Sequence, residues 1–140
     1  MKLYLAGPSK ELDRVRAACA LIEAAGHDIT EMWRLRIEEA KHRGWATDAD
    51  VPERFMRDSA ERNFFQGLCE ADYVVALCRS EGGLSSGVAY EVGVAHGQER
   101  NVWLVGNHRN HVSAFGDTVH CAATVEEALE DIRAHAKGFA

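Results

Sequence analysis

Residues 81–93, which read Glu-Gly-Gly-Leu-Ser-Ser-Gly-Val-Ala-Tyr-Glu-Val-Gly, combine an anion-binding pattern with a carboxylate. A Gly/Ser loop opens a predicted helix there, and backbone N–H groups and hydroxyls at a helix N-terminus bind anions. Ser85 or Ser86 is expected to cap the helix, and one of them could reach a phosphate. Glu91 lies about one turn inside the helix. Gly87, four residues earlier on the same face, would leave room for a ligand beside the Glu91 carboxylate.

The same pattern is also compatible with a purely structural role. Gly/Ser loops before helices are common, and the helix dipole stabilises a glutamate in the first turn. The spacing by itself therefore leaves open whether Glu91 is catalytic.

Apolar runs predict the strands that must position this loop, at residues 2–6, 27–30, 72–78, 101–106 and 119–122. Helical periodicity and cap residues predict helices at 10–25, 51–70, 87–98 and 124–137, with a further helix and loop within 31–50. Strands alternate with helices and the central strands are apolar throughout, which is typical of a parallel sheet covered on both faces. We predict a single α/β domain over residues 1–140, with a five-stranded parallel doubly wound sheet of flavodoxin-like or Rossmann-like type. Ligands of such sheets bind at the carboxyl ends of the strands, which here means the loops at 7–10, 79–86 and 107–113.

Composition limits the classes of function. The 140 residues are 46% hydrophobic and carry a net charge of -6, which argues against a nucleic-acid polymer as partner. No apolar run approaches the roughly 20 residues that a membrane helix needs, so no membrane association is expected. The four cysteines are widely spaced among apolar neighbours, which predicts buried reduced thiols and a cytoplasmic protein. His108 and His111 have no third ligand nearby in the sequence, and we predict neither a metal nor a cofactor.

Two stretches of the sequence carry a resemblance to a known family. One is Tyr-Leu-Ala-Gly-Pro at 4–8, and the other is Ala-Asp-Tyr-Val-Val-Ala at 71–76 followed by Ser-Gly-Val-Ala-Tyr-Glu-Val-Gly-Val-Ala at 86–95. In these features, and in their order over nearly the whole chain, the sequence resembles the nucleoside 2-deoxyribosyltransferase superfamily, which includes nucleoside 5′-monophosphate N-glycosidases. The resemblance implies a small-molecule nucleoside or nucleotide substrate. It also implies a homodimer or larger homo-oligomer with sites completed across the interface.

The resemblance assigns roles to residues of both segments. The glutamate that matches Glu91 is the family's nucleophile, which attacks the anomeric carbon and forms a glycosyl-enzyme ester that water or a second base resolves. Tyr4 matches a tyrosine that lines the site in the hydrolases, with packing under the first helix as an equal alternative. Gly7 and Ser9 at the first turn are expected to offer donors to sugar or phosphate.

Ser85 bears on the choice between hydrolase and transferase. Transferases of the family carry an acidic residue six positions before the nucleophile, whereas the monophosphate hydrolases carry a serine that binds the 5′-phosphate. The sequence has Ser85 at that position. Ser113 is a candidate second phosphate-binding serine, supplied by a neighbouring subunit, and Arg109 or His108 could supply positive charge instead. These residues favour hydrolysis of a (2′-deoxy)nucleoside 5′-monophosphate.

The resemblance does not assign the residues that would act on the leaving base as directly as it assigns the nucleophile. The family commonly has an aspartate about eight residues before the third strand, and the sequence has Phe64 there. Glu61 and Asp58, one and two helical turns upstream, are the candidate replacement acids. Trp33 and Trp45 are candidates to stack on a base, although at least one of them is expected to fill the core or an interface.

Three other functions remain open at this stage. A true deoxyribosyltransferase would exchange bases on 2′-deoxyribose, and Ser85 in place of an acid counts against it. A phosphoribohydrolase of the lysine-decarboxylase-like fold also has a Gly-rich loop followed by a glutamate, but its loop differs from Gly82-Gly83-Leu84. A catalytically inactive nucleotide-binding or sensor protein is the remaining alternative, and Phe64 favours it.

Overall fold

The sheet of the computed structural model, which describes residues 1–138, has five strands. They are β1 (Lys2–Ala6), β2 (Asp28–Ile29), β3 (Tyr73–Leu77), β4 (Val102–Val105) and β5 (Val119–Ala122). Every pairing is parallel and the spatial order is β2-β1-β3-β4-β5. The predicted α/β fold with a five-stranded parallel doubly wound sheet is therefore confirmed.

Helices cover both faces of the sheet. They are α1 (Leu12–Ala24), α2 (Trp33–His42), α3 (Glu53–Glu61), α4 (Ser86–Gly97) and α5 (Val125–Ala136), with a π-helix at Arg62–Leu68 and 3₁₀ turns at Asp48–Asp50 and Val112–Phe115. The helices α1 and α5 pack together on one face, whereas α4 covers β3 and β4 on the other face and contacts the π-helix and the second 3₁₀ turn. This arrangement buries the central strands on both sides, which explains their continuous apolar sequences.

The chain reverses its direction of sheet growth between β1 and β3. From β1 it first crosses to β2 on one side and then returns to β3 on the other side. The loops after β1 and β3 therefore diverge at their carboxyl ends and leave a crevice, which is where doubly wound sheets bind ligands.

The predicted helix at 51–70 changes its hydrogen-bonding pattern in the middle. It begins as α3 and continues as the π-helix, in which the Cys69 N–H donates to the Phe64 carbonyl at 3.2 Å. A bond to the fifth preceding residue widens the turn by one residue. The directions of the side chains before and after this turn therefore differ from those predicted for a regular α-helix with 3.6 residues per turn.

One local prediction, that all four cysteines are buried, is corrected by the structure. All four cysteines are free, but only Cys19 and Cys78 are buried, and Cys121 is exposed on the edge strand β5. At the start of α5, the Thr124 side chain accepts from the Glu127 N–H at 3.2 Å, and the Glu127 carboxylate accepts from the Ala123 N–H at 2.8 Å.

Candidate active site

The loop after β3 is a tight turn that delivers the chain into α4. The Arg79 N–H donates to the Gly83 carbonyl at 2.9 Å, and the Gly82 N–H donates to the Arg79 carbonyl at 2.8 Å. Gly82 and Gly83 have φ of +95° and +75°. Residues with a side chain rarely adopt these angles, so the two glycines allow the backbone to form this turn. The turn places the N-terminus of α4 at the crevice between β1 and β3.

Ser85 caps α4 and leaves the helix N-terminus open. Its hydroxyl accepts from the Val88 N–H at 3.3 Å, and a hydroxyl that accepts one bond can still donate its own proton. Ser86 and Gly87 are exposed, and no atom lies within 4 Å of the place where a Cβ on Gly87 would stand. The first turn of α4 is therefore open at Ser86 and Gly87, where the sequence predicts that a ligand binds.

Glu91 presents an unpaired carboxyl oxygen one turn below this opening. The side chain is half-buried, and its Oε2 atom is buried with no hydrogen-bond partner among residues 1–138. Burial raises the pKa of Glu91 to about 7, and the neighbouring Tyr4 hydroxyl lowers it against this larger effect. Buried polar atoms are nearly always paired, so the unpaired carboxyl oxygen with its shifted pKa makes Glu91 a candidate functional group.

Tyr4, in strand β1, is the neighbour of Glu91 on the side of the sheet. The side chain is fully buried, and its ring packs against Gly67 of the π-helix, where a Cβ would lie 2.5 Å from the Tyr4 ring. Burial, followed by the charge of Glu91 and then of Glu31, raises the pKa of Tyr4, so the hydroxyl keeps its proton. No hydrogen bond of normal geometry joins the hydroxyl to the carboxylate, although the two groups lie near enough to influence each other's ionisation.

Glu31 is a carboxylate near the site that the sequence did not indicate. It follows β2, is partly buried, and its Cβ lies 3.2 Å from the position of a Cβ on Gly67, the same place that the Tyr4 ring occupies. Its only sequence signal is its position just after a short strand at the carboxyl edge of the sheet.

The first turn contributes backbone and one exposed hydroxyl. Gly7 is buried, and a Cβ there would lie 2.9 Å from a methyl group of Val15, so the glycine at this position allows α1 to pack closely. Ser9 is exposed and lines a cavity beside the crevice.

The loop after β4 lies against the loop after β3. The Gly83 N–H donates to the Asn107 carbonyl at 2.8 Å, and the Arg109 side chain extends across Gly82, where a Cβ would lie 2.5 Å from Nε of Arg109. Arg109 therefore places an exposed guanidinium near the start of α4. Ser113 is instead engaged by His111, with 2.8 Å between its hydroxyl and Nδ1.

The two acids predicted upstream of Phe64 lie on the outer part of α3. Asp58 is exposed and forms ion pairs with Arg36 at 2.5 Å and Arg62 at 3.5 Å. Glu61 is exposed. Phe64 packs edge-on against Tyr90, the neighbour of Glu91, with 5.3 Å between ring centroids.

A cavity of about 510 Å³ lies between α2, α3 and the turn after β1. The cavity is lined by the aromatic side chains of Trp33, Trp45, Phe55 and Phe64 and by Asn63, but not by Glu91. The Trp33 indole donates to the Leu5 carbonyl at 2.6 Å, which fixes one wall of the cavity to β1. Both tryptophans therefore border a space large enough for a small aromatic ligand, and Trp33 is also part of the core.

Two further observations concern residues 1–138 as a whole. Within this range, no group of three or more His, Cys, Asp or Glu side chains is arranged to hold a metal ion. None of the helices in the same range has the length and apolar character that crossing a bilayer requires.

Comparison with known proteins identifies the family of the chain. The family model for nucleoside 2-deoxyribosyltransferases matches residues 3–131. The chain belongs to the nucleoside 2-deoxyribosyltransferase family. The search of the curated proteins found no match to this chain. One of the solved structures it is similar to is the CMP N-glycosidase BcmB of Clostridium botulinum, with 15% identity and a TM-score of 0.55 over 95% of this chain and 98% of that chain. At this sequence identity, the similarity shows that the two proteins share a fold.

Proposed function

We propose that this protein cleaves the N-glycosidic bond of a (2′-deoxy)nucleoside 5′-monophosphate and releases the free base, with Glu91 as nucleophile. The observation that carries the proposal is the buried, unpaired Oε2 of Glu91, one turn below the open N-terminus of α4 and beside the protonated Tyr4 hydroxyl. The family membership supports a nucleoside or nucleotide substrate.

The reaction divides into two displacements at the anomeric carbon. The ionised Glu91 carboxylate attacks this carbon, the C–N bond breaks, and its electron pair leaves with the base, which takes up a proton. Water then attacks the same carbon, loses a proton and releases the sugar phosphate and the carboxylate. Since burial raises the pKa of Glu91 to about 7, the nucleophile is fully available only at a pH above that value.

Groups at the start of α4 would hold the 5′-phosphate. The Ser85 hydroxyl can donate while it caps the helix, Ser86 and Gly87 are exposed there, and Arg109 supplies a nearby positive charge. The positive end of the helix dipole adds to this attraction. Gly7 and Ser9 would contact the sugar or phosphate from the turn after β1.

Three carboxylates are candidates for protonating the leaving base. Asp58 and Glu61 are the two that the sequence indicated, and both are exposed on α3. Glu31 joins them because its charge acts on Tyr4, the neighbour of Glu91.

A second copy of the chain would complete the site. Phe65, Tyr90, Val112 and Phe115 are large apolar side chains that are exposed on or beside α4, and Val112 is 82% exposed. Exposed apolar residues grouped around one helix mark an interaction surface. In a homodimer that covers this surface, Ser113 of the second copy would reach the phosphate.

A chromatographic assay for free base tests the proposed activity. The protein is incubated with nucleosides and 5′-monophosphates, ribo and 2′-deoxy, with and without an acceptor base, and Glu91→Ala serves as the control. Base release from monophosphates without acceptor is the expected result. Exchange that requires an acceptor base would identify a deoxyribosyltransferase, the activity after which the family is named. Binding without turnover would identify a nucleotide-binding protein.

A further inference from the structure

Asn63 lines the cavity of about 510 Å³ and carries an amide oxygen without a hydrogen-bond partner among residues 1–138. It is the second residue of the π-helix, and this oxygen, Oδ1, is buried. Leaving a buried amide oxygen unpaired is costly, and a ligand that supplies the missing donor would remove that cost.

The position of Asn63 connects the cavity with the catalytic side of the sheet. Gly67, one turn further along the π-helix, is the residue on which the Tyr4 ring packs, and Tyr4 adjoins Glu91. Phe64, the next residue, lines the same cavity and contacts Tyr90 beside Glu91. The π-helix that carries Asn63 therefore borders the aromatic cavity and also contacts Tyr4, the neighbour of Glu91.

The cavity lining indicates the chemical class of the ligand. Trp33, Trp45 and Phe64 offer flat apolar surfaces, and Asn63 offers a neutral amide that both donates and accepts hydrogen bonds. Flat heteroaromatic rings with neighbouring donor and acceptor atoms match such a lining, since stacking holds the ring and the amide reads its polar edge.

We propose that Asn63 is the specificity-determining residue for the leaving nucleobase, whose polar edge it binds inside the cavity between α2 and α3. The inference rests on the proposed function, in which the base leaves a sugar that is held beside Glu91. It predicts that the affinity for a free base depends on Asn63 and that the affinity for the sugar phosphate does not.

Isothermal titration calorimetry with adenine, guanine, cytosine, uracil, thymine and ribose 5-phosphate tests this inference. The proteins are the wild type, Asn63→Ala, Asn63→Asp and the matched control Gln66→Ala, which removes an exposed amide from the same π-helix. Far-ultraviolet circular dichroism establishes that each variant is folded. Free bases are used because their binding can be measured whether or not the protein cleaves a glycosidic bond.

We expect Asn63→Ala to bind the preferred base about tenfold more weakly and ribose 5-phosphate unchanged, with Gln66→Ala equal to the wild type. Asn63→Asp, which in its ionised form only accepts hydrogen bonds, should change the order of preference among the bases. Equal base affinities in the wild type and Asn63→Ala, or no base binding by the wild type, would overturn the inference. A wild type that binds bases through Asn63 but releases none from any nucleotide would instead overturn the proposed function and leave the base site in place.

Discussion

Tyr4 and Glu91 meet at the crevice from different layers of the fold, Tyr4 from the central strand β1 and Glu91 from α4. Each has a buried oxygen without a hydrogen-bond partner in the described chain, and each changes the ionisation of the other. Burial raises the pKa of both groups, but their ordinary values differ so much that Tyr4 stays protonated while Glu91 titrates near neutral pH. The pair therefore combines a hydroxyl that keeps its proton and can donate a hydrogen bond with a carboxylate that can act as nucleophile.

Tyr4→Phe should lower base release by about tenfold to a hundredfold at pH 7. Tyr4 lowers the pKa of Glu91, so its removal lets that pKa rise and leaves less ionised nucleophile. The measurement is kcat/KM from pH 5.5 to 9, and the acid limb of the profile should move to higher pH. Tyr73→Phe is the matched control, because its hydroxyl contacts His135 at 3.2 Å on α5. If the acid limb is unchanged in Tyr4→Phe, then the Tyr4 hydroxyl does not affect the pKa of Glu91.

Glu91→Gln should abolish base release and make the protein more resistant to denaturation at pH 8. The pKa of Glu91 is raised to about 7 in the folded protein, so the folded state holds a proton that the unfolded state loses, and stability falls as pH rises from about 4.5 to 7. The size of this loss is on the order of 3 kcal/mol. Urea unfolding at pH 5 and pH 8 measures it.

The stability difference between Glu91→Gln and the wild type should thus be small at pH 5 and large at pH 8. Glu130→Gln, at an exposed position of α5, is the control and should behave like the wild type at both values. If the stability difference between Glu91→Gln and the wild type is the same at both pH values, then the pKa of Glu91 is not raised in the folded protein.

Ser85→Ala should reduce base release from 5′-monophosphates more than from nucleosides. The change removes both the hydroxyl that would bind the phosphate and the cap of α4, which is worth about 1 kcal/mol. Thr124→Ala removes the equivalent cap of α5 and should lower stability by a similar amount without affecting the ratio of the two activities. Ser85→Asp preserves a cap but repels phosphate, so it should shift the preference towards nucleosides. Equal losses for both substrate classes in Ser85→Ala would remove Ser85 from phosphate binding.

Glu31→Gln should reduce base release more than Glu61→Gln or Asp58→Asn. The charge of Glu31 acts on Tyr4 inside the site, whereas Asp58 on α3 is paired with Arg36 of α2 and Arg62 of the π-helix. The assay compares an ordinary purine monophosphate with 7-methylguanosine 5′-monophosphate, whose cationic base leaves without being protonated. A variant that has lost the acid should be slow on the first substrate and normal on the second. If all three variants match the wild type on both substrates, none of these carboxylates protonates the base.

Val112→Glu and Phe115→Glu should convert a dimer into monomers and reduce base release. Each puts a charge into the exposed apolar surface beside α4, and in a homodimer that charge would be buried. Light scattering coupled to size-exclusion chromatography measures the mass against the chain mass of 15.5 kDa. Leu21→Glu, on the exposed side of α1, is the control. A monomeric wild type with full activity would refute the shared site.

The sequence determined the architecture because its signals are local. Continuous apolar runs such as Val74 to Leu77 and Val102 to Val105 occur where a strand is buried on both faces, and alternation with helices then requires a parallel sheet. The Gly-Gly turn, the Ser85 cap and the place of Glu91 one turn later are also local, since positive φ, capping and helical spacing depend only on neighbouring residues. These elements, and the order of the loops around the crevice, were therefore predictable.

Only the tertiary structure decided which side chains face one another across those elements. The meeting of Tyr4 with Glu91 depends on the packing of α4 over the sheet, and the involvement of Glu31 depends on the register of β2 against β1. The π-helix is the clearest case. Counting back from β3 pointed to Phe64. The π-helix places Phe64 and Asn63 together at the cavity, and Asn63 is the one with an unpaired buried amide oxygen. Periodicity in a sequence reports burial, whereas the partner of a buried group is set by long-range packing.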